Sequence, residues 1–164
     1  MKIIDDFLEE DYRLTILQRI NHTKFKLHSS NGGRFNFLHA FSSHPDFNLL
    51  RKKILNLPIL KNVNLRRWYI NLNPYGEFHS GDWHRDTNDG SNITAIYYPQ
   101  EWQKEYGGGI EFEDGEIIEY KQNRLVVFDG EKGHMATPHF NEYNFRFSLA
   151  FKLMAEWNED SINN

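Results

Sequence analysis

The spacing of hydrophobic residues changes near residue 60, from the period of a helix to that of a strand. In LEEDYRLTILQRIN, residues 8–21, acidic residues come first and Arg19 comes late, as the dipole of a helix favours. A second helix is predicted to begin near Asp46. It is predicted to end at Pro58, because proline cannot continue a helix. Its apolar face consists of Phe47, Leu50, Ile54 and Leu57. The stretch between the two helices, HTKFKLHSSNGGRFNF, is too irregular to assign.

From residue 63 onward apolar and polar residues alternate, as they do in a half-buried strand. RRWYINLN at 66–73 is the first such run, and NFRFSLAFKL at 144–153 is the last. Turn residues such as Asp114-Gly115 and Asp129-Gly130 separate the runs, giving about eight short strands. So many strands after two helices predict a mainly β (α+β) protein, a sandwich or jelly-roll barrel buttressed by helices on one side.

Length and composition place limits on the class of protein. We expect a single domain over 1–164, with 1–60 as mostly helical support and 63–154 as the barrel core. A net charge of −4 provides no basic field to attract nucleic acid. The absence of cysteine excludes thiolate metal sites and fits a reducing compartment. Without a signal peptide or a membrane span, we expect a soluble, cytoplasmic protein that does not bind membranes.

Several histidines could bind a metal. His84 and Asp86 are two apart at the end of a strand-like run, so their side chains leave the same face. A solvated loop can carry such a pair by chance, so the pair alone does not identify a site. His134 would complete a triad of two histidines and one carboxylate, which favours Fe(II) but also admits Mn, Co or Zn. His79 competes with His84, and His139 with His134, and spacing alone does not decide between them.

The last strand carries a second candidate group. Its apolar face, predicted to pack on the helices, consists of Phe145, Phe147, Leu149, Phe151 and Leu153. The alternation therefore points Arg146 and Ser148 into the barrel, where an unpaired guanidinium would be very unfavourable. Either a protein carboxylate or a bound anion must pair with Arg146. Beside a candidate iron site, an anionic cosubstrate is the better explanation.

Three stretches, in order, resemble the Fe(II)- and 2-oxoglutarate-dependent dioxygenases, most closely their prolyl 4-hydroxylase branch. NPYGEFHSGDWHRD contains the H-x-D pair. ITAIYYPQEWQKEYGGGIEFEDG has a tryptophan-bearing connection and a Gly-Gly turn. NRLVVFDGEKGHMATPHFNEYNFRFSLAFKL contains the distal histidine and an R-x-S run. The resemblance extends from about Trp68 to Leu153 and implies a double-stranded β-helix (jelly-roll) barrel.

The resemblance also implies roles for residues at the matching positions. His84, Asp86 and His134 would bind iron and form the catalytic centre. Arg146 would bind the distal carboxylate of 2-oxoglutarate, with support from Ser148. The implied cofactors are Fe(II), 2-oxoglutarate as cosubstrate and O2, with ascorbate as an optional reductant.

Three tyrosines match the family pattern, and other positions depart from it. Tyr98 and Tyr75 match positions at which the family often places a tyrosine that contacts the cosubstrate, and Tyr69 is a further neighbour on another strand. Prolyl hydroxylases commonly carry a tryptophan a few residues past the basic residue, whereas this chain has Lys152 there. The connection from His134 to Arg146 is also slightly long for the family. Both departures bear on the substrate and not on the iron ligands.

The family most closely resembled acts on a prolyl residue in a peptide or protein, through hydroxylation of an unactivated C–H bond. Three alternatives stay open: an oxygenase acting on a free amino acid or small metabolite, a nucleic-acid demethylase, and a non-catalytic barrel that binds a metal or a peptide. The net charge of −4 counts against nucleic acid. We expect segment 22–44 or segment 100–108 to shape a substrate groove at the barrel mouth.

Overall fold

Two helices form where the sequence predicts them. The structure is a computed structural model that describes residues 1–29, 36–76, 82–87, 91–142 and 145–155. Helix α1 spans Glu10–Asn21 and helix α2 spans Pro45–Leu55, followed by a 3-10 turn at Pro58–Leu60. The side chains that these two helices bury on the sheet include Ile16, Ile20, Phe47, Leu50 and Ile54. Within the described part of the chain, neither helix is long and apolar enough to cross a lipid bilayer.

Ten strands in the described residues form two antiparallel sheets. The first five are β1 (Lys2–Ile4), β2 (Lys26–Ser29), β3 (Asn36–Ala40), β4 (Val63–Asn73) and β5 (Ile93–Tyr98). The others are β6 (Ile110–Phe112), β7 (Ile117–Ile118), β8 (Arg124–Asp129), β9 (His134–Ala136) and β10 (Arg146–Ala155). The major sheet has the order β1-β8-β5-β10-β4-β3-β2, and the minor sheet has the order β7-β6-β9.

The mainly β class, with helices as support, is confirmed. The first 60 residues contribute more than the predicted helices, since β1 joins one edge of the major sheet and the β2–β3 hairpin joins the other. These strands have three to five residues each, too few for a period of two to be evident in the sequence. Their partners, β8 and β4, lie far along the chain.

The major core lies between the helices and the major sheet. Trp68 of β4 is paired with Phe151 of β10, and their rings stack with centroids 5.9 Å apart. Phe47 of α2 packs on Trp68 at 5.4 Å. Of the five residues predicted for the apolar face of β10, four join this core, but Phe145 is half exposed because it precedes the strand.

The space between the two sheets holds a smaller core and the inward face of β10. The smaller core consists of Tyr98, Ile110, Phe112, Ile118, Tyr120, Val126 and Phe128. Arg146, Ser148 and Lys152 share the other face of β10 and are all buried, as the alternation predicts. Polar side chains therefore lie in the barrel interior beside an apolar cluster, which is the arrangement of a site more than of a packed core.

Candidate active site

Three side chains that could hold a metal ion meet between the two sheets. One ligand atom from each of His84, Asp86 and His134 lies within 4.8 Å of the other two. His84 Nε2 is 3.7 Å from Asp86 Oδ1, and His134 Nε2 is 3.3 Å from Asp86 Oδ2. Asp86 and His134 are buried, whereas the His84 side chain is 48% exposed and marks the open side of the cluster.

Backbone hydrogen bonds bring these residues together from distant parts of the chain. The N–H of His84 donates to the carbonyl of His134, and the N–H of His134 donates to that of His84, both at 3.0 Å. The N–H of Asp86 donates to the carbonyl of Gly130 at 2.7 Å. The H-x-D segment thus forms a short bridge to β9, with its own two side chains on one side, as the spacing predicts.

Each histidine is oriented by a carbonyl oxygen. His84 Nδ1 lies 2.7 Å from the carbonyl oxygen of Asp82, and His134 Nδ1 lies 2.9 Å from that of Lys132. A carbonyl only accepts, so Nδ1 carries the proton and Nε2 presents its lone pair to the cluster. Burial of the ring lowers the pKa of His84, which favours the neutral form that binds metals.

Asp86 is held as a carboxylate. Burial opposes its ionisation, but the charge of Lys152 and the hydrogen bonds from Lys152 and Thr94 keep the pKa of Asp86 far below its usual range. The Thr94 hydroxyl donates to Asp86 Oδ2 at 2.7 Å, and Lys152 Nζ donates to the same oxygen. The alternation of β10 places Lys152 in the barrel interior, but no sequence pattern indicated its partner, so this pairing was not predicted.

Arg85 links the H-x-D segment to neighbouring segments on the exposed side of the site. Its guanidinium donates to the backbone carbonyl of Glu131 and forms an ion pair with Glu113. On the same side, Lys132 forms ion pairs with Asp114 at 2.8 Å and with Glu116 at 3.0 Å. These exposed pairs contribute little stability each, but together they link the segments that carry the candidate metal ligands to the turn between β6 and β7.

Arg146 is buried with no carboxylate partner among the described residues. It donates to the carbonyl of Gly108 and to that of Thr137 at 3.3 Å. Its Nε is buried and has no hydrogen-bond partner in the described part of the chain. Burial lowers the pKa of Arg146, yet a guanidinium stays charged in proteins. The protein carboxylate that the sequence left open is therefore not found here, and a bound anion fits.

The glycine run at 107–109 lets the chain approach Arg146. Gly108 has a φ of +82°, and a Cβ there would lie 2.9 Å from Arg146 Cδ. A Cβ on Gly109 would fall 2.1 Å from the carbonyl oxygen of Ile118. These two glycines therefore hold the guanidinium through their carbonyl groups, a role that the sequence, which showed only a Gly-Gly turn, did not indicate.

The other predicted cosubstrate residues are spread along the barrel. Ser148 is buried on the same face as Arg146. Tyr98 is buried on β5, its ring lies 4.2 Å from that of Tyr120, and burial raises its pKa. Tyr69 lies at the metal end, with its ring centroid 5.9 Å from Lys152 Nζ.

One predicted residue lies apart from the others, and one buried polar residue was not predicted. Tyr75 is half exposed, and its ring contacts Phe140 at 6.4 Å. Asn71, which the sequence did not single out, lies on β4 directly opposite Ser148, and its Oδ1 is buried without a partner among the described residues. Only its place in the alternation of β4, on the face opposite Ile70, could have indicated that it points into the barrel.

Of the two competing histidines, the structure describes His139, which lies away from the cluster. His139 is buried, with Nε2 2.9 Å from the carbonyl oxygen of Asn73 and its ring 5.4 Å from Trp102. It therefore lies beside the Arg146 end of the barrel, where a Cβ on Gly108 would also meet it. His79 lies outside the described residues.

Both segments predicted to shape a groove lie beside the site. In segment 100–108, Trp102 donates to the carbonyl of Gly107 at 2.8 Å and packs on Tyr120 at 4.8 Å, so it closes the Arg146 end. In segment 22–44, Phe41 is exposed and its ring lies 6.3 Å from that of Tyr69. Residues 30–35 of this segment lie outside the described residues. This second segment borders the metal end.

The donor set fits a divalent metal and an organic anion. Two neutral imidazoles and one carboxylate form the facial set that leaves coordination positions open, and this set favours Fe(II). The buried guanidinium of Arg146, with its orphaned Nε, fits a carboxylate. Both groups face the interior of the barrel.

Comparisons with known proteins agree with this chemistry. The family model described as the 2OG-Fe(II) oxygenase superfamily matches residues 70–152. A prolyl hydroxylase from Trichoplax adhaerens, solved in complex with a peptide fragment of the hypoxia inducible factor oxygen degradation domain, aligns with a TM-score of 0.74 and 18% identity, covering 93% of this chain and 82% of that one. A prolyl-4-hydroxylase from Pseudomonas putida aligns with a TM-score of 0.69 and 20% identity, covering 93% and 91%.

A third solved structure has a different activity. The non-heme alpha ketoglutarate dependent epimerase SnoN from nogalamycin biosynthesis aligns with a TM-score of 0.73 and 12% identity, covering 93% of this chain and 77% of that one. A comparison with curated proteins finds no match. The solved structures have the double-stranded β-helix fold, so the jelly-roll barrel predicted from the sequence is confirmed.

Proposed function

The chain belongs to the 2OG-Fe(II) oxygenase superfamily, and we propose that within it the protein hydroxylates a prolyl residue in a peptide or protein. Fe(II), 2-oxoglutarate and O2 are the cofactors of this family, and the His-Asp-His cluster is present. The likeness to two prolyl hydroxylases, one of them solved with a peptide, supports the prolyl substrate.

In this proposal His84, Asp86 and His134 bind the iron. The observation that carries the proposal is the pairing of this cluster with a buried Arg146 that lacks a carboxylate partner in the described residues. Iron, when bound, supplies oxygen activation coupled to the oxidative decarboxylation of 2-oxoglutarate. The two Nε2 lone pairs and one oxygen of Asp86 would hold it.

The protein's own task is to orient the cosubstrate and exclude water. Arg146 binds the distal carboxylate of 2-oxoglutarate, and its charge-assisted hydrogen bonds fix the direction of the molecule. Ser148, paired with Asn71 across β10 and β4, offers a hydroxyl that can donate to an oxygen of the cosubstrate along the way to the metal. Tyr98 is buried near the guanidinium, whose charge acts on its hydroxyl, and we expect it to contact the cosubstrate.

The substrate would enter on the side of His84. The His84 side chain is half exposed, and two aromatic side chains with large exposed fractions lie on this side: Trp83, its neighbour in the chain, and Phe41, whose ring lies 6.3 Å from that of Tyr69 at the metal end. Flat, apolar rings of this kind suit the ring of a prolyl residue. Tyr75 and Tyr69 stay predicted neighbours of the cosubstrate.

Hydroxylation of a small molecule is the second candidate. The likeness to an epimerase from nogalamycin biosynthesis supports it, because the fold does not fix the substrate. Lys152, at the place where prolyl hydroxylases commonly carry a tryptophan, also favours a different substrate environment.

A peptide screen tests the proposal. The protein is incubated with Fe(II), 2-oxoglutarate, ascorbate and a panel of proline-containing peptides, and mass spectrometry follows the gain of one oxygen atom together with succinate. We expect a peptide-dependent gain that His84→Ala abolishes, that Arg146→Met lowers strongly at a limiting concentration of 2-oxoglutarate, and that His22→Ala, an exposed histidine outside the site, leaves intact. Succinate release stimulated only by amino acids or metabolites would contradict the prolyl substrate but retain the oxygenase. No succinate under any condition would contradict the site itself.

A further inference from the structure

Lys152 lies deep in the barrel beside the proposed iron ligand Asp86. It is 2% exposed, and its Nζ donates to Asp86 Oδ2. Nζ also lies 3.5 Å from Thr94 Oγ1 and 5.9 Å from the ring centroid of Tyr69. A charge buried this deeply requires a counter-ion, and Asp86 is the carboxylate with which Lys152 forms an ion pair in the described residues.

The two oxygens of Asp86 have different surroundings. Oδ2 accepts hydrogen bonds from Lys152 and Thr94 and lies 3.3 Å from His134 Nε2. Oδ1 has His84 Nε2 as its neighbour at 3.7 Å. Lys152 therefore acts on the oxygen that is already engaged and leaves Oδ1 to a metal.

Lys152 gives the cluster one more positive charge than a neutral residue at position 152 would give it. In the metal-free protein the formal charges of Lys152 and Asp86 cancel. A divalent metal placed among the triad would meet a repelling ammonium a short distance away, and repulsion between such charges is strong in a buried site. An anion that binds to the metal would be attracted by the same ammonium.

We propose that Lys152 sets the charge of this metal centre, so that it weakens binding of the divalent metal alone and strengthens binding of the anionic 2-oxo acid to the loaded site. The protein thus holds the metal most firmly when the cosubstrate is also bound. This inference rests on the proposed roles of the triad and of Arg146, and it is independent of the identity of the substrate that is hydroxylated.

Two titrations on one variant test the proposal. Lys152→Gln retains a hydrogen-bond donor but removes the charge. Co(II) binding to the metal-free protein is followed by its absorption, and 2-oxoglutarate is then titrated into the Co(II)-loaded protein under anaerobic conditions. We expect Co(II) to bind about tenfold more tightly to Lys152→Gln than to the unaltered protein, and 2-oxoglutarate about tenfold more weakly. Lys61→Met removes an exposed lysine elsewhere and should leave both affinities unchanged.

A chemical rescue covers the case in which Lys152→Gln does not fold. Because the chain has no cysteine, Lys152→Cys carries a single thiol that can be alkylated in denaturant before refolding. Aminoethylation restores a side chain of nearly the same length with its ammonium, whereas carbamidomethylation leaves it neutral. We expect the aminoethylated protein to match the unaltered one and the carbamidomethylated protein to show the two opposite shifts.

The outcomes separate this inference from the proposed function. A fall in both affinities together would show that Lys152 only supports the structure, and unchanged affinities would show that its charge has no effect on the site. Either result would overturn the inference alone. If Co(II) fails to bind, or binds His84→Ala as well as the unaltered protein, the proposed triad is wrong and the inference falls with it.

Discussion

Replacing Thr94 with valine removes one hydrogen bond to Asp86 and leaves the shape of the side chain almost unchanged. Thr94 is fully buried on β5, and its hydroxyl donates to the ionised Asp86 Oδ2 at 2.7 Å. A hydrogen bond to a charged group contributes about 1.5–3 kcal/mol to stability. We therefore expect Thr94→Val to lower the free energy of unfolding of the metal-free protein by about 1.5–3 kcal/mol.

Denaturant unfolding in the presence of a chelator measures this loss. For a protein of this length the loss corresponds to a fall in the melting temperature of about 3–12 °C. Thr15→Val is the matched control, because the Thr15 hydroxyl donates to the carbonyl of Asp11 on the exposed surface of α1 at 2.9 Å. We expect the control to change the free energy of unfolding by less than about 0.5 kcal/mol.

A loss for Thr94→Val no larger than that of the control would refute the reasoning. It would mean that Lys152 alone satisfies Asp86 without the hydroxyl, or that water replaces it. A larger loss, above about 4 kcal/mol, would point instead to a rearranged barrel interior, which a changed near-ultraviolet spectrum would reveal.

Three further predictions address the other parts of the site and the core. Arg146→Met should raise the KM for 2-oxoglutarate at least about tenfold, the effect of losing a charge-assisted pair, while Co(II) binding by the triad persists; loss of Co(II) binding as well would contradict separate roles. Asp86 has a pKa far below its unfolded value near 4, so its contribution to stability is complete above about pH 4 and is lost as the pH falls further. Asp86→Asn should accordingly make metal-free stability less dependent on pH in this acid range, and an unchanged acid profile would count against the ion pair. Phe151→Ala should cost about 3–5 kcal/mol of unfolding free energy and Phe145→Ala less than about 1 kcal/mol, because only the first ring is fully buried; equal losses in equilibrium unfolding would contradict the assigned faces of β10.

Patterns of residues close together in sequence predicted much of the fold. The alternation of β10 places Arg146 in the barrel, and it does so because a strand with one apolar face has only one way to bury it. The spacing of His84 and Asp86 places them on one side of a short bridge for the same reason. Helices α1 and α2 formed at the predicted positions because each has a continuous apolar face.

Contacts between distant segments could not be predicted in this way. The carbonyl of Gly108 meets Arg146 only after the chain has turned between the two sheets, and no local pattern encodes that approach. Lys152 finds Asp86 across the barrel, at a sequence separation of 66 residues. Both pairings depend on three-dimensional closure, so sequence reasoning could identify the residues but not their partners.

A bulge in β4 beside Lys152 bears on how the protein could change in length. Lys152 pairs with Arg67, but the next residue of β10 pairs with Leu65, so Arg66 is an extra residue in β4. In β10, one residue inserted between Arg146 and Lys152 would move Arg146 to the opposite face of the strand. Arg146 would then point toward the aromatic core, and a phenylalanine side chain would take its place in the barrel interior. At the bulge, one extra residue is already accommodated. We expect natural or engineered insertions to be tolerated at the bulge and on its side away from Arg146. Between the bulge and Arg146, we expect them to abolish activity.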